Sequence, residues 1–374
     1  MITFKKIKLK DCIIQLKTGL NPRNNFKLGS GKIKYITAKN LSASSFIDFD
    51  NCDYIDEKAK EIINKRSDIQ TGDILFASRA PVGHCHLIKD IPDYFDIGES
   101  IFSIRANKNI VLPEYLCLYL SSDYFIKMAS KNVTGSVIQE IRINHLLNID
   151  VLIPPIENQL KISKTINLIL NNIEKITNIN NNLEELAYTV YLHEFANKIP
   201  NGCIGDLLIE NKKSSIKVGE AKDVKGDYPF FTSGDSILEW NDYLVNGRNL
   251  FLNTGGNAGV KFYVGKAMYS TDTWCITTEK YSDYLYLCFK LISKDLDRKF
   301  FHGSGLKHLQ KSLLKQEQIY IPSEDEINKF NNNVQSMFDT IASNTIEIKK
   351  LTELKDFLLP MLMNGQINVD DIEI

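Results

Sequence analysis

The sequence predicts an α+β protein: two mixed α/β domains joined by two long antiparallel coiled-coil helices, the halves related by pseudo-two-fold symmetry. Three observations lead there. Short β-rich runs such as KIKYITAKNL, GDILFAS and ESIFSIRA sit between Gly, Pro and Asn punctuation, which reads as strands and turns. At an Ile-Pro pair this texture gives way to a stretch whose apolar residues recur at threes and fours, which reads as a helix. The change then happens a second time: VLIPPIENQLKI at 151 to 162 is answered by IYIPSEDEINKF at 319 to 330, 168 residues later.

The repeat extends beyond that stretch. At the same offset Gly135-Ser136 returns as Gly303-Ser304, Ile153-Pro154 as Ile321-Pro322, and Leu183 with Leu186 as Leu351 with Leu354. Upstream, Asp11 and Thr37 recur as Asp206 and Thr232, and Tyr115-Leu116 resembles Tyr284-Leu285. A period this long is a duplicated domain rather than a solenoid repeat. The expected bounds are a first domain at 1–155, a first spacer helix at 156–197, a second domain at 198–323, and a second spacer helix with a tail at 324–374.

Each helix carries a heptad seam. The first runs Ile162, Ile166, Ile169, Ile173, Ile176, Asn180, Leu183, Ala187, Val190; the second runs Val334, Met337, Ile341, Asn344, Ile348, Leu351, Lys355, Leu358, Leu362. Parallel pairing would set Asn180 against Ile348 and Asn344 against Ile176, leaving both amides without partners in an apolar layer. Antiparallel pairing about a two-fold through position 178 brings Asn180 and Asn344 together. These two asparagines are therefore expected to fix the register.

A chain of 374 residues suits two or three domains. Hydrophobic content of 43% and charged content of 24% are ordinary, and no apolar run approaches the roughly 20 residues of a membrane span. The N-terminal MITFKKIKLKDCII lacks a continuous apolar core with a small-residue cleavage site, which argues against secretion. Seven scattered cysteines without a Cys-x-x-Cys pair read as free thiols, so the expected location is cytoplasmic. The net charge of -1 hides an alternation. Residues 1–155 hold 21 Lys+Arg against 17 Asp+Glu and 198–323 hold 17 against 14, whereas 156–197 hold 3 against 5 and 324–374 hold 4 against 10. The strand-rich blocks are basic and the helices acidic.

Fragments that suggest chemistry do not complete a motif. GSGK at 29–32 resembles a phosphate loop, but the spacing places Phe26 where Gly is needed and Ile33 where Ser or Thr is needed, so it reads as a turn. TGGNAG at 254–259 lacks the Gly-x-Gly-x-x-Gly order. His84-Cys85-His86 places successive residues on opposite faces of a strand, and no second ligand cluster accompanies it. Glu210-Asn211-Lys212 after Asp206 has a nuclease-like Glu-x-Lys core but a short acidic spacing. Asn21-Pro22 runs on into Arg23, so the Asn-Pro-Pro-aromatic signature of an amino-methyltransferase is missing. The expectation is a chain with no catalytic residue and no metal.

Polar and basic turns remain. GLNPRNNFKLGSGKIK at 19–34 carries Arg23, Asn24, Lys27 and Lys32 and no acid, a composition that meets phosphates and reads base edges. Lys39, Asn40 and Arg79 in the first half, and Ser233, Asn253, Thr254 and Asn257 in the second, are similar candidates for DNA contact.

Two variable blocks, each ending in an Ile-Pro turn (Ile153-Pro154-Pro155-Ile156-Glu157-Asn158-Gln159) and a heptad helix, resemble the specificity subunit of type I restriction-modification systems over essentially the whole chain. Gly135-Ser136, Gly303-Ser304 and the terminal LLPMLMNGQINV at 358–369 resemble that family's repeat endings, while Ser323-Glu324-Asp325-Glu326 departs from the first turn. The resemblance implies two target-recognition domains, each reading half of a bipartite double-stranded DNA site, and adds the Gly-Ser pairs to the DNA-binding candidates. It implies docking of two methylation subunits, which hold S-adenosylmethionine and methylate adenine N6, and of restriction and translocation subunits. No cofactor is expected on this chain. A helix from 162 to 190 spans about 42 Å, close to the 34–36 Å of one duplex turn, so helix length is expected to set the unread spacer. The alternatives are the specificity subunit of a fused restriction-methylation enzyme, a metal-dependent nuclease using Asp206, Glu210 and Lys212, and a plain coiled-coil scaffold.

Overall fold

Each strand-rich block starts and finishes on the same two-stranded antiparallel pair. The computed structural model describes residues 3–42, 47–90, 92–130, 140–303, 305, 307–369 and 372. They form two compact units, Met1–Ile173 with Lys350–Ile374, and Glu174–Lys349. Each unit therefore holds one block together with a portion of both long helices.

In the first unit Lys5–Lys8 pairs with Asp150–Ile153, Ile7 lying opposite Val151. Between these ends lie two sheets. One is four-stranded, in the order Ile13–Thr18, Ile101–Ala106, Asp73–Ala77, Cys85–Leu87; the other is three-stranded, in the order Asp53–Ile55, Ile33–Ile36, Phe95–Ile97. The last pair of the small sheet is parallel. Asp73–Ala77 is buried along its whole length, as a central strand requires. Its first residue is charged, and Arg105, opposite it on the neighbouring strand, grips both carboxylate oxygens at 2.8 Å. Pairing of this kind offsets much of the cost of burying a charged carboxylate.

The second unit repeats the plan strand for strand. Gly202–Cys203 pairs with Gln318–Ile319. The four-stranded sheet runs Ile209–Glu210, Thr273–Thr277, Arg248–Asn253, Val260–Val264, and the three-stranded sheet runs Ile237–Trp240, Tyr228–Phe231, Met268–Tyr269, again with a parallel last pair. The duplication read from sequence landmarks is thus a duplication of topology. Among the described residues the copies differ in their decoration: the first shows the helix Glu57–Ser67, capped by Asp56 accepting from the Ala59 amide at 2.8 Å, and the second shows a short pair, Phe301–His302 with His308–Leu309.

The repeated Tyr-Leu acquires a physical reason. Tyr115 donates its hydroxyl to the Leu152 carbonyl at 2.9 Å, and Tyr284 does the same to the Tyr320 carbonyl. Both acceptors stand one residue before an Ile-Pro, so the buried tyrosines tie the domain core to the strand that leads into the long helix.

The long helices are Ile156–Phe195 and Glu324–Met363, forty residues each. They start by different means. In the first, the wholly buried Gln159 donates to the carbonyls of Pro154 (2.8 Å) and Ile110 (3.1 Å) and accepts from the Leu112 amide (2.7 Å). In the second, Glu326 accepts from the Ser323 amide at 2.9 Å and Ser323 Oγ accepts from the Glu326 amide at 3.4 Å, a capping box. The departure of Ser323-Glu324-Asp325-Glu326 from the first turn exchanges a tether to the domain core for a capping box.

Within the second unit Asn344 Nδ2 donates to Asn180 Oδ1 at 2.7 Å, and Ala187 and Val190 share one core with Val334, Met337 and Ile341. The helices run antiparallel there, in the register that the asparagines require. In the first unit Leu170 shares a cleft with Thr352, Lys355 and Leu359. Lys355, on the apolar seam, keeps its ammonium 3.0 Å from the carboxylate of the exposed Asp356.

Two outcomes follow for stability. Replacing Asn180 alone by Leu leaves the Asn344 amide unpartnered and is expected to cost about 1–2 kcal/mol in urea unfolding, whereas the Asn180→Leu, Asn344→Leu double variant is expected to recover most of that loss; additive losses would contradict the pairing. Asp96 is wholly buried, accepts from Ser67 and from the Ile97 amide through Oδ1, and has no partner for Oδ2 among the described residues. Burial raises its carboxyl from 3.8 to about 6. The folded state then binds more protons than the unfolded one between about pH 4 and 6, so this group's contribution to stability falls as pH rises through that window, by on the order of 3 kcal/mol at most. Asp96→Asn should flatten that part of the curve relative to the parent; an identical slope in both proteins would contradict it.

Candidate nucleic-acid interface

The basic turn at 19–34 is held at several points and open between them. Phe26 packs edge-on against Tyr35 at 5.5 Å, Tyr35 donates to the Leu20 carbonyl at 2.7 Å, and the Gly29 amide donates to the Tyr54 carbonyl at 2.8 Å. Gly31 has φ +83°, and a Cβ there would lie 2.3 Å from the Ile55 carbonyl oxygen. GSGK is therefore a tight turn against a neighbouring strand. Arg23, Asn24, Lys27 and Lys32 are all exposed on this anchored loop. Lys34 is used by the fold: its ammonium donates to the Phe49 carbonyl at 2.8 Å and lies 5.2 Å from the Phe49 ring centroid.

Other candidates divide between surface and interior. Lys39 is exposed, while its neighbour Asn40 is buried and fully occupied, accepting from Thr37 N and Oγ1 at 2.9 Å and donating to the Asn51 carbonyl at 3.0 Å. Asn40 therefore shapes its loop from inside. Arg79 is exposed and lies on the loop after the central strand Asp73–Ala77. Its Nη1 donates to Glu99 at 2.8 Å, and its Nε lies 3.6 Å from Glu140. Asn21 donates to the second Glu99 oxygen at 2.6 Å. Asn21, and after it Arg79, hold the Glu99 carboxyl below its ordinary range.

In the second unit the corresponding loop is a closed polar network. Asn253 is buried, donates to the Asn257 carbonyl at 3.0 Å and accepts from Lys261 at 3.1 Å. Ser233 Oγ accepts from the Thr254 amide at 2.9 Å, and Thr254 Oγ1 donates to the Asp272 carbonyl at 2.6 Å. Burial lowers the pKa of Lys261. Ser233 and Thr254 are half-buried, and Asn257 and Gly303 are exposed. Gly135, Ser136 and Ser304 lie outside the described residues. Glu99 and Lys261, which sequence reasoning did not single out, organise the two loops. Their signal was weak, because a lone Glu and a lone Lys in strand-flanking turns carry no motif.

The two loops occupy the same place in the repeated plan. An isolated bridge joins Arg79 to Glu140 in the first unit and Gly255 to His308 in the second. Beside it the Ile141 amide donates to the Ser78 carbonyl at 2.8 Å, and the Leu309 amide donates to the Thr254 carbonyl at 3.0 Å. One backbone clamp thus presents different side chains.

The residues of the nuclease alternative are bound to separate partners. Asp206 accepts from the Cys203 amide at 2.8 Å. Glu210 accepts from Trp274 Nε1 at 2.8 Å and from Lys315 at 2.5 Å, with Lys311 at 3.8 Å; Lys311 also lies 4.6 Å from the Trp274 ring centroid. Lys212 contributes its backbone carbonyl to Tyr269. Glu210 is thereby part of a cation-π and ion-pair cluster. His84 Nδ1 is 2.6 Å from the Leu41 carbonyl and Cys85 is buried. Among the described residues no three His, Cys, Asp or Glu side chains converge as a metal site, and no helix is long and apolar enough to cross a membrane.

Known proteins share this plan. A family model described as the type I restriction modification DNA specificity domain matches residues 1–185 and 199–356. The type I restriction enzyme MjaIX specificity subunit of Methanocaldococcus jannaschii is 25% identical over 98% of this chain and 94% of its own length. The HindI specificity subunit of Haemophilus influenzae is 24% identical over 80% of this chain and 87% of its own. The crystal structure of a type I restriction-modification system S subunit from M. genitalium superposes with a TM-score of 0.56 at 14% identity, covering 97% of this chain and 96% of that one. The chain belongs to the type I restriction-modification DNA specificity family.

Proposed function

We propose that this chain is the sequence-reading subunit of a type I restriction-modification complex, and that each of its two units reads one half of a bipartite, asymmetric double-stranded DNA site. The observation that carries this reading is the shared clamp with unlike side chains. A reader that had to recognise the same bases twice would keep the same residues at the clamp; here one copy presents Arg79 and the other Gly255.

Exposed cations on the anchored turn, Arg23, Lys27 and Lys32, would meet phosphates and set position and salt dependence. Loop side chains aimed at base edges would supply specificity. On this reading the chain itself carries no catalysis and holds no cofactor. S-adenosylmethionine belongs to two docked methylation subunits, which would transfer its methyl group to adenine N6 after flipping the base, and restriction and translocation subunits dock in addition. The acidic helices, with 3 Lys+Arg against 5 Asp+Glu and 4 against 10, are suited to protein partners rather than to DNA.

Exchanging residues 1–155 for the matching block of a relative with a different target tests the modular reading. Selection of bound duplexes should show one half-site changed and the other retained. A change in both halves would contradict one reader per unit.

A further inference from the structure

We propose that Arg79 reads a guanine in the half-site of the first unit, with Glu99 and Glu140 as the residues that position it; this rests on the DNA-reading function proposed above. The backbone beneath Arg79 is fixed by the bridge to Glu140 and the Ile141 to Ser78 hydrogen bond of 2.8 Å. The guanidinium is fixed as well. Nη1 is committed to Glu99 at 2.8 Å and Nε is directed to Glu140 at 3.6 Å, while Glu99 is itself braced by Asn21 at 2.6 Å. Among the described residues no group takes Nη2, and 45% of the side chain is exposed. A planar guanidinium held on two sides keeps a defined outer edge, and two donors on such an edge match the O6 and N7 acceptors of guanine in the major groove.

Phosphate is the competing ligand for any exposed arginine, and the local charge argues against it. Two carboxylates face the Arg79 guanidinium, and Arg23, which also acts on Glu99, only brings the group to neutral, so Arg79 offers a phosphate no net positive charge while its outer edge remains open to the neutral edge of a base. Fold stability does not explain the cluster either, because solvent-exposed ion pairs contribute little. Preorientation of a reading side chain does. At the matching bridge of the second unit stands Gly255, so this guanine preference belongs to one half-site only.

The test uses the full chain with its methylation subunits, binding duplexes that carry every single base-pair change of the wild-type motif, at several salt concentrations. Arg79→Ala should lower discrimination at one G·C pair about tenfold or more, with the other half-site and the salt slope unchanged. Arg79→Lys should fail to restore it, because lysine lacks the fork. Glu99→Gln, which preserves shape, should reduce discrimination at that same pair by a smaller factor, about threefold. Uniform weakening on all sequences with the salt slope reduced by about one would make Arg79 a phosphate contact and overturn the proposal. Unchanged discrimination in Glu99→Gln would overturn the positioning role. A wild-type complex without base preference in either half-site would instead contradict the proposed function itself.

Discussion

Everything in each unit depends on returning the end of a strand-rich block to its beginning. In the first unit this closure is the pair Lys5–Lys8 with Asp150–Ile153, and in the second it is Gly202–Cys203 with Gln318–Ile319. A tyrosine from the core then bonds the carbonyl just before Ile-Pro, through Tyr115 or Tyr284. Proline follows, ending the ladder because it has no amide to donate. The helix can begin only there, and its start is sealed by Gln159 in one copy and by Ser323 with Glu326 in the other. Variation inside a block is tolerated as long as this closure is kept, which is the property a protein needs if its loops are to change target without changing its frame.

The helices were legible because their signal is periodic and local. Forty-residue helices and an apolar seam follow from spacing alone, and the Asn180 to Asn344 bond follows from asking where two amides could find partners. The sheets were legible only as a count of strand-like runs. Their order interleaves near and distant segments, with Phe95–Ile97 lying parallel to Ile33–Ile36, and no local pattern encodes such a long-range pairing.

The site was legible in part, for a definite reason. Composition marks a polar residue but not the direction in which it points. Arg23, Lys27 and Lys32 are exposed, whereas Asn40 and Asn253, of the same polar character, are buried and hydrogen-bonded within their loops. Glu210 carried a nuclease-like spacing, yet its oxygens are taken by Trp274 and Lys315. Glu99 carried no pattern at all, because its meaning lies in Arg79, twenty residues earlier, and in Asn21, from a different strand connection. Buried polar groups must find partners, and those partners are set by the fold rather than by neighbours in sequence.

The central claim is that a duplicated frame with unlike loops reads two unlike half-sites. Modified-base sequencing of DNA from cells producing this chain together with the methylation subunits proposed for it tests it most directly. The account predicts methylated adenines in a motif of two different specified segments separated by unspecified bases. A contiguous motif, a palindrome of two identical halves, or methylation without sequence preference would contradict it.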